Sequence, residues 1–147
     1  MKKLAFFALC ALTVFLAACG GNTAKPGNGG GNTAGHEHGD DHGKMTDLGK
    51  KKIGDREVGV EVSDWVASKG EGVAEVEVGG DGADKVKLNF WVEQDGKEVS
   101  PKKAGEWVAE EKKFDCHVEL KKDLKAGKYK LVIEVDGKKE SWDVDVK

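Results

Sequence analysis

Apolar side chains recur at every second position in six separate runs in the C-terminal part of this chain. The six runs are Val58 to Val62, Ala74 to Val78, Val86 to Val92, Phe114 to Leu120, Tyr129 to Val135 and Trp142 to Val146. Successive side chains of a β-strand point to opposite faces, so this period predicts six strands with one buried face each. Residues 48–53 are expected to add an edge strand. No segment sustains the 3.6-residue period of an amphipathic helix.

The segments between these runs have the composition of tight turns. Asp95-Gly96 and Asp136-Gly137 are typical of β-hairpins, and Gly79 to Gly82 form a turn cluster. Seven or eight short strands within roughly 100 residues favour a single antiparallel β-sandwich. We therefore predict an all-β domain of seven to eight strands over residues 46–147.

One short motif narrows the class of sandwich that this sequence resembles. Leu124, Gly127 and Tyr129 form a Leu-x-x-Gly-x-Tyr pattern immediately before a predicted strand. It resembles the tyrosine corner of immunoglobulin-like and fibronectin-type domains, in which the tyrosine hydroxyl bonds to the backbone between the two sheets. The resemblance implies an immunoglobulin-like sandwich. The Cys-Trp-Cys set of immunoglobulins is absent, so the resemblance names no family.

The first 18 residues have the composition of an export signal. Lys2 and Lys3 precede an uncharged run, Leu4 to Ala18, of 15 residues. A membrane-spanning helix needs about 20 apolar residues, so the run is too short to be a stable span. A basic start, a short apolar core and small residues at its end are typical of a secretory signal peptide. Residues 1–18 are therefore predicted to be removed on export.

The end of this run resembles a bacterial lipobox. The pattern is Leu16-Ala17-Ala18-Cys19. The resemblance implies that Cys19 is lipidated, that the chain is cut before it, and that acyl chains hold the protein on a membrane of the bacterial cell envelope. Gly20 rather than Asp follows the cysteine, which resembles the enterobacterial pattern for export to the outer membrane. In a Gram-negative cell, the outer membrane is therefore favoured over the inner one.

Residues 19–45 are predicted to be a lipidated cysteine followed by a disordered tether. Residues 20–44 hold nine of the 21 glycines and no large apolar side chain. Such a segment buries too little surface to offset the loss of backbone entropy on folding.

Within this tether, three of the four histidines fall inside seven residues, His36-Glu37-His38-Gly39-Asp40-Asp41-His42. Imidazole and carboxylate ligands suit zinc, nickel or copper(II). His36, His38 and His42 are the predicted principal ligands, with Asp40 or Asp41 assisting. The tract is similar to those of periplasmic zinc- and nickel-handling proteins. Two alternatives remain open: a hydrophilic spacer, or a segment that gains charge in mild acid.

The folded part offers few candidates for chemistry. Cys116 and His117 are neighbours on one predicted strand, so they point to opposite faces and cannot act as a nucleophile and base. Cys116 is predicted to be a core thiol, whereas His117 could lend one ligand to a metal held by the tether. The chain has no serine-hydrolase elbow, phosphate loop, dinucleotide fingerprint or zinc-protease helix. We expect that the protein is not an enzyme.

Trp91 is out of phase with Phe90 and Val92, so it is expected on the outer face of its strand. It could be exposed there and anchor a partner, or be covered by the segment around Trp107. Trp142 is expected in the core, and Trp65 at one end of the sandwich.

Charge and pattern together leave two functional hypotheses. Lys and Arg number 24 against 27 Asp and Glu, without a concentrated basic patch, so nucleic-acid binding is not expected. The first hypothesis is a lipid-anchored metal-binding protein of the envelope that works beside a metal transporter. The second is an interaction module whose sandwich binds an envelope protein or a glycan, with the tether as a spacer. Neither hypothesis predicts the oligomeric state.

Overall fold

The computed structural model describes residues 43–147. The predictions for the signal peptide, Cys19, the histidine cluster and the tether up to residue 42 lie outside the described residues. The last three tether residues, 43–45, are described and precede the first strand.

Ten strands form the described part of the chain. Their bounds are β1 Thr46–Ile53, β2 Arg56–Val62, β3 Glu71–Val78, β4 Leu88–Gln94, β5 Lys97–Glu98, β6 Lys103–Ala104, β7 Glu106–Val108, β8 Lys113–Glu119, β9 Gly127–Val135 and β10 Lys138–Val146. Short 3-10 helices lie at Ala67–Lys69 and Ala83–Lys85. The seven strands of seven to nine residues match the six alternating runs and the expected edge strand. The other three, β5, β6 and β7, have only two or three residues each.

The strands form two antiparallel sheets. Sheet A has the order β1-β2-β3-β8-β7, and sheet B has the order β10-β9-β4-β5, with β6 also paired to β4. The order β2-β3-β8-β7 matches the four-stranded sheet of an immunoglobulin constant-type domain, and β10-β9-β4 matches its three-stranded sheet. The predicted immunoglobulin-like sandwich is therefore confirmed, with β1 as an additional edge strand.

The core lies between the inward faces of the two sheets. Of the 25 buried apolar side chains among residues 43–147, 23 belong to one cluster drawn from both sheets. Cys116 is part of this cluster, as predicted, and has no exposed surface. Burial raises the pKa of its thiol well above the usual value, so the thiol stays protonated.

Two buried tryptophans donate indole N–H bonds to strands of sheet A, one from sheet B and one from the end of β2. Trp142 of β10 is buried, as expected, and its indole N–H donates to the carbonyl oxygen of Gly49 on β1, 3.1 Å away. Trp65 follows β2, is buried, and donates to the carbonyl oxygen of Val73 at 3.0 Å. A Cβ atom at Gly72 would come within 2.7 Å of the Trp65 ring, so this indole lies directly on the backbone of β3.

The tyrosine corner has the geometry that the motif predicts. The Tyr129 hydroxyl donates to the carbonyl oxygen of Lys125 at 2.7 Å, and the tyrosine is 2% exposed. This bond ties the start of β9 to the loop that brings the chain across from sheet A.

Tyr129→Phe is expected to lower the free energy of unfolding by about 1 kcal/mol, because it removes the corner hydrogen bond and keeps the buried ring. Tyr129→Ala should cost about 3–5 kcal/mol, because the ring is lost as well. Urea unfolding followed by tryptophan fluorescence measures both. Equal stability of Tyr129→Phe and the natural chain would contradict a stabilising role of the bond.

Candidate functional site

The outer face of sheet A is strongly acidic. Outward positions on β2, β3 and β8 alternate with the core positions, and most carry a carboxylate. These carboxylates belong to Glu57, Glu61, Glu71, Glu75, Glu77, Asp115 and Glu119. We call these residues the acidic face. Four cationic or titratable side chains contact them: Lys50, Lys103, Lys113 and His117.

Lys113 holds the middle of the acidic face together. Its Nζ atom lies 2.9 Å from Glu61 Oε2 and 2.8 Å from Glu75 Oε2, so one ammonium group bridges β2, β3 and β8. The hydrogen bonds to these two glutamates outweigh partial burial and raise the pKa of Lys113. Glu61 and Glu75 lie directly opposite each other, and Lys113 compensates for their repulsion.

His117 occupies one end of the acidic face. Its Nδ1 lies 2.8 Å from Glu71 Oε1, and its Nε2 lies 3.1 Å from Asp115 Oδ2. Partial burial of the ring lowers its pKa, but hydrogen bonding to Glu71 and the charge of Asp115 outweigh this, so the pKa of His117 is raised. The outward position predicted for His117 is confirmed. A ring nitrogen would have to leave its carboxylate before His117 could bind a metal, so its role as a metal ligand stays a prediction.

Trp91 lies on the outer face of sheet B, as expected, but it is not exposed. Only 3% of its surface is accessible, and it packs outside the main core beside Val132, its partner on β9. The Nζ atoms of Lys102 and Lys139 lie 4.7 Å and 5.4 Å from its ring centroid. Lysine side chains thus lie over the ring, so its expected exposure was wrong. Trp107 lies on β7 of sheet A against Phe114, so the expected cover by its segment was wrong as well.

The polar atoms around Trp91 are also engaged. Its indole N–H donates to Glu93 Oε1 at 2.8 Å. Lys102 Nζ lies 2.8 Å from Glu134 Oε2, and this bond lowers the pKa of Glu134. A partner could reach Trp91 only by displacing these lysines, so Trp91 as a partner-binding residue stays a prediction.

A groove lies at the end of the sandwich where β3 stops and β8 begins. It runs between the β3–β4 loop and the β7–β8 turn, with a volume of about 500 Å³. Trp107 and Val78 contribute apolar surface, and Glu77, Asp84 and Lys112 contribute charge. We call this the Trp107 groove. Trp107 is partly exposed and packs edge-on against Phe114, with ring centroids 5.0 Å apart.

The predicted metal ligands of the tether, His36, His38, Asp40, Asp41 and His42, lie outside the described residues, as does Cys19. Within residues 43–147, no group of three or more His, Cys, Asp or Glu side chains is arranged to hold a metal ion. The same residues include no helix with the length and apolar character needed to cross a membrane.

These features define the described part of the chain as an immunoglobulin-like sandwich with one acidic face and one end groove. The chain matches no protein-family model, no curated protein and no solved structure.

Sequence reasoning missed the Trp107 groove. Trp107 was considered only as cover for Trp91, because β7 has three residues and no alternating run. The glycines at 79 and 80, which leave one wall of the groove without side chains, were read only as a turn. The acidic face was visible in the sequence as glutamates between the core valines of β2 and β3.

The pair of carboxylates around His117 makes stability depend on pH. The pKa of His117 is higher in the folded than in the unfolded chain, so its stabilising charge is fully present below about pH 6.5 and is lost as pH rises through the folded pKa. His117→Gln should therefore cost more stability at pH 5 than at pH 9. The difference should stay below about 1 kcal/mol because the side chain is 41% exposed.

Urea unfolding at both pH values measures this difference. The natural chain and the variant share His36, His38 and His42, so titration of the tether cancels in the comparison. An equal cost at pH 5 and pH 9 would contradict a bridging charge on His117.

Proposed function

We propose that this protein is a lipid-anchored, non-enzymatic protein of the bacterial cell envelope that binds a divalent transition metal through its tether. His36, His38 and His42 act as principal ligands, with Asp40 or Asp41 assisting. The observation that carries this proposal is the concentration of three imidazoles and three carboxylates within seven consecutive residues. Zinc, nickel and copper(II) are the metals that such ligands suit.

The described domain is consistent with a carrier role. Its single thiol, Cys116, is fully buried and protonated, so it offers no competing thiolate ligand. His42 comes directly before Gly43, the first described residue, so the cluster adjoins the domain in the chain. Lipid attachment at Cys19 would keep bound metal near a membrane transporter.

Affinity should be modest. The ligands belong to a glycine-rich segment, and bringing them together costs chain entropy that a preformed site would not cost. Each histidine must also lose its proton to bind, so metal affinity should fall as pH drops below about 6.5.

Calorimetric titration of the lipid-free chain from residue 20 to 147 with zinc, nickel and copper(II) tests the proposal. We expect binding with a Kd of about 1–10 μM, an order expected for a flexible site. The variant with His36, His38 and His42 all changed to Ala should bind at least about tenfold more weakly.

His117→Gln is the matched control, because it removes the one histidine outside the cluster. It should leave binding unchanged if the tether is sufficient. Equal binding by the natural chain and the triple variant would refute the tether as the metal site.

The second candidate function is an interaction module at the envelope. The partly exposed Trp107 and its groove favour this function, because they present an aromatic side chain and carboxylates at a loop-lined end of the sandwich. This candidate does not depend on metal binding.

A further inference from the structure

The four tryptophans of the chain differ in solvent exposure and in the hydrogen bonding of the indole N–H group. Trp65, Trp91 and Trp142 are at most 3% exposed, and each indole N–H donates to an oxygen of the chain. Trp107 is partly exposed, and among residues 43–147 its N–H has no hydrogen-bond acceptor. Buried or interfacial indoles usually find a partner for the N–H group, so Trp107 is the one that the fold leaves available.

The tryptophan rings also differ in whether a lysine lies over the ring face. Lys102 and Lys139 lie over Trp91, and Lys51 Nζ lies 5.2 Å from the Trp142 ring centroid. No lysine or arginine among the described residues lies over the ring of Trp107. A cation over an indole face is stabilising, and this contact is the one that Trp91 and Trp142 have and Trp107 lacks among the described residues.

The surroundings of Trp107 carry the matching charge. Glu77 and Asp84 flank the groove, and Lys112 is the one cationic lining residue among residues 43–147. The adjoining depression shares Gly79 and Gly80 with the groove. It adds three acidic side chains and one arginine, namely Asp55, Glu57, Asp81 and Arg56.

Two cations near this end, Arg56 and Lys50, contact oxygen atoms of the chain. The guanidinium of Arg56 donates to the carbonyl oxygens of Gly79 and Asp81 at 3.0 Å and 3.2 Å. Lys50 lies 3.2 Å from Glu77, but both side chains are more than half exposed, and such pairs contribute little. Even with Lys50 counted, the groove and the adjoining depression carry five carboxylates against three cations, so this end of the sandwich has a surplus of negative charge.

We propose that the Trp107 groove binds a basic segment of a partner polypeptide, with an arginine or lysine side chain over the Trp107 ring and its charge near Glu77 and Asp84. Charge complementarity selects a cationic occupant and disfavours phosphates, acidic glycans and anionic lipid headgroups. The edge strand β7 has only three residues, too few for an added β-strand to supply the contacts, so side-chain recognition is the mode that fits.

The position of the groove suits an incoming partner. The chain enters the sandwich at Thr46, which pairs with Val62 at the end of β2. The groove borders Val78, which pairs with Val58 near the start of β2. The groove and residues 43–45, which lead into β1, thus lie at opposite ends of β2. The inference rests on the second candidate function and not on metal binding.

Indole N–H signals in a ¹H–¹⁵N spectrum of the lipid-free chain from residue 20 to 147 test this proposal. The chain has four tryptophans, and Trp107→Phe identifies the Trp107 signal by its loss. Titration with a hexa-arginine peptide should move the Trp107 signal saturably and leave the other three nearly unchanged. The double variant Glu77→Gln/Asp84→Asn should weaken binding about five-fold and keep the fold, since both side chains are exposed.

Asp143→Asn/Asp145→Asn is the matched control, because it removes the same charge from two exposed positions of β10. It should change binding less than two-fold. Equal weakening by both double variants, or a static Trp107 signal, would overturn the proposal. A shift of Trp107 with neutral tri-N-acetylchitotriose but not with hexa-arginine would also overturn it, and would assign a glycan to the groove. None of these results depends on the metal titration.

Discussion

The whole domain depends on the burial of two alternating apolar faces against each other. Along most of the long strands every second side chain is apolar, and the two sheets bring these side chains into one cluster, whereas β1 contributes mainly Ile53. A register slip of one residue would place the glutamates of β2 and β3 in the core and the valines in water. The cost of burying a carboxylate without a partner is several kcal/mol, so the register is firmly determined. The tyrosine corner and the indole N–H bonds of Trp65 and Trp142 add specific links to this non-directional burial.

The same alternation leaves the other half of the side chains on the outer surfaces of the two sheets. On sheet A the outward positions carry carboxylates, and Lys113 and His117 bridge pairs of them. On sheet B the outward positions include Trp91 and Val132, which form a small second cluster beneath lysine side chains. The two outer surfaces therefore differ in chemistry although their inner surfaces form one core. The acidic surface also discourages pairing between sheets of different molecules through like-charge repulsion.

The sequence was sufficient for the long strands because their signal is local and repeated. It also revealed the tyrosine corner, because Tyr129 and Gly127 have fixed positions relative to the strand they begin. It was insufficient for β5, β6 and β7, since two or three residues cannot display a period and their pairing depends on where β4 and β8 lie. The cover of Trp91 was missed for a related reason: Lys102 lies in a separate segment and Lys139 on another strand, and only the folded sheet brings them to the ring. Contacts between residues far apart in the sequence cannot be inferred from the alternation of apolar and polar residues within one strand.

The two candidate functions use different parts of the chain and different physics. Metal binding would rest on ligands within seven consecutive residues, so it needs no folded domain and is limited by the entropy of ordering a glycine-rich segment. Recognition at the Trp107 groove would rest on three segments that only the fold assembles: the end of β3, the β3–β4 loop and the β7–β8 turn. Unfolding should therefore abolish the second function and spare the first. A tether that binds metal and a sandwich that binds a basic partner are physically compatible in one molecule, because neither function uses a residue that the other requires.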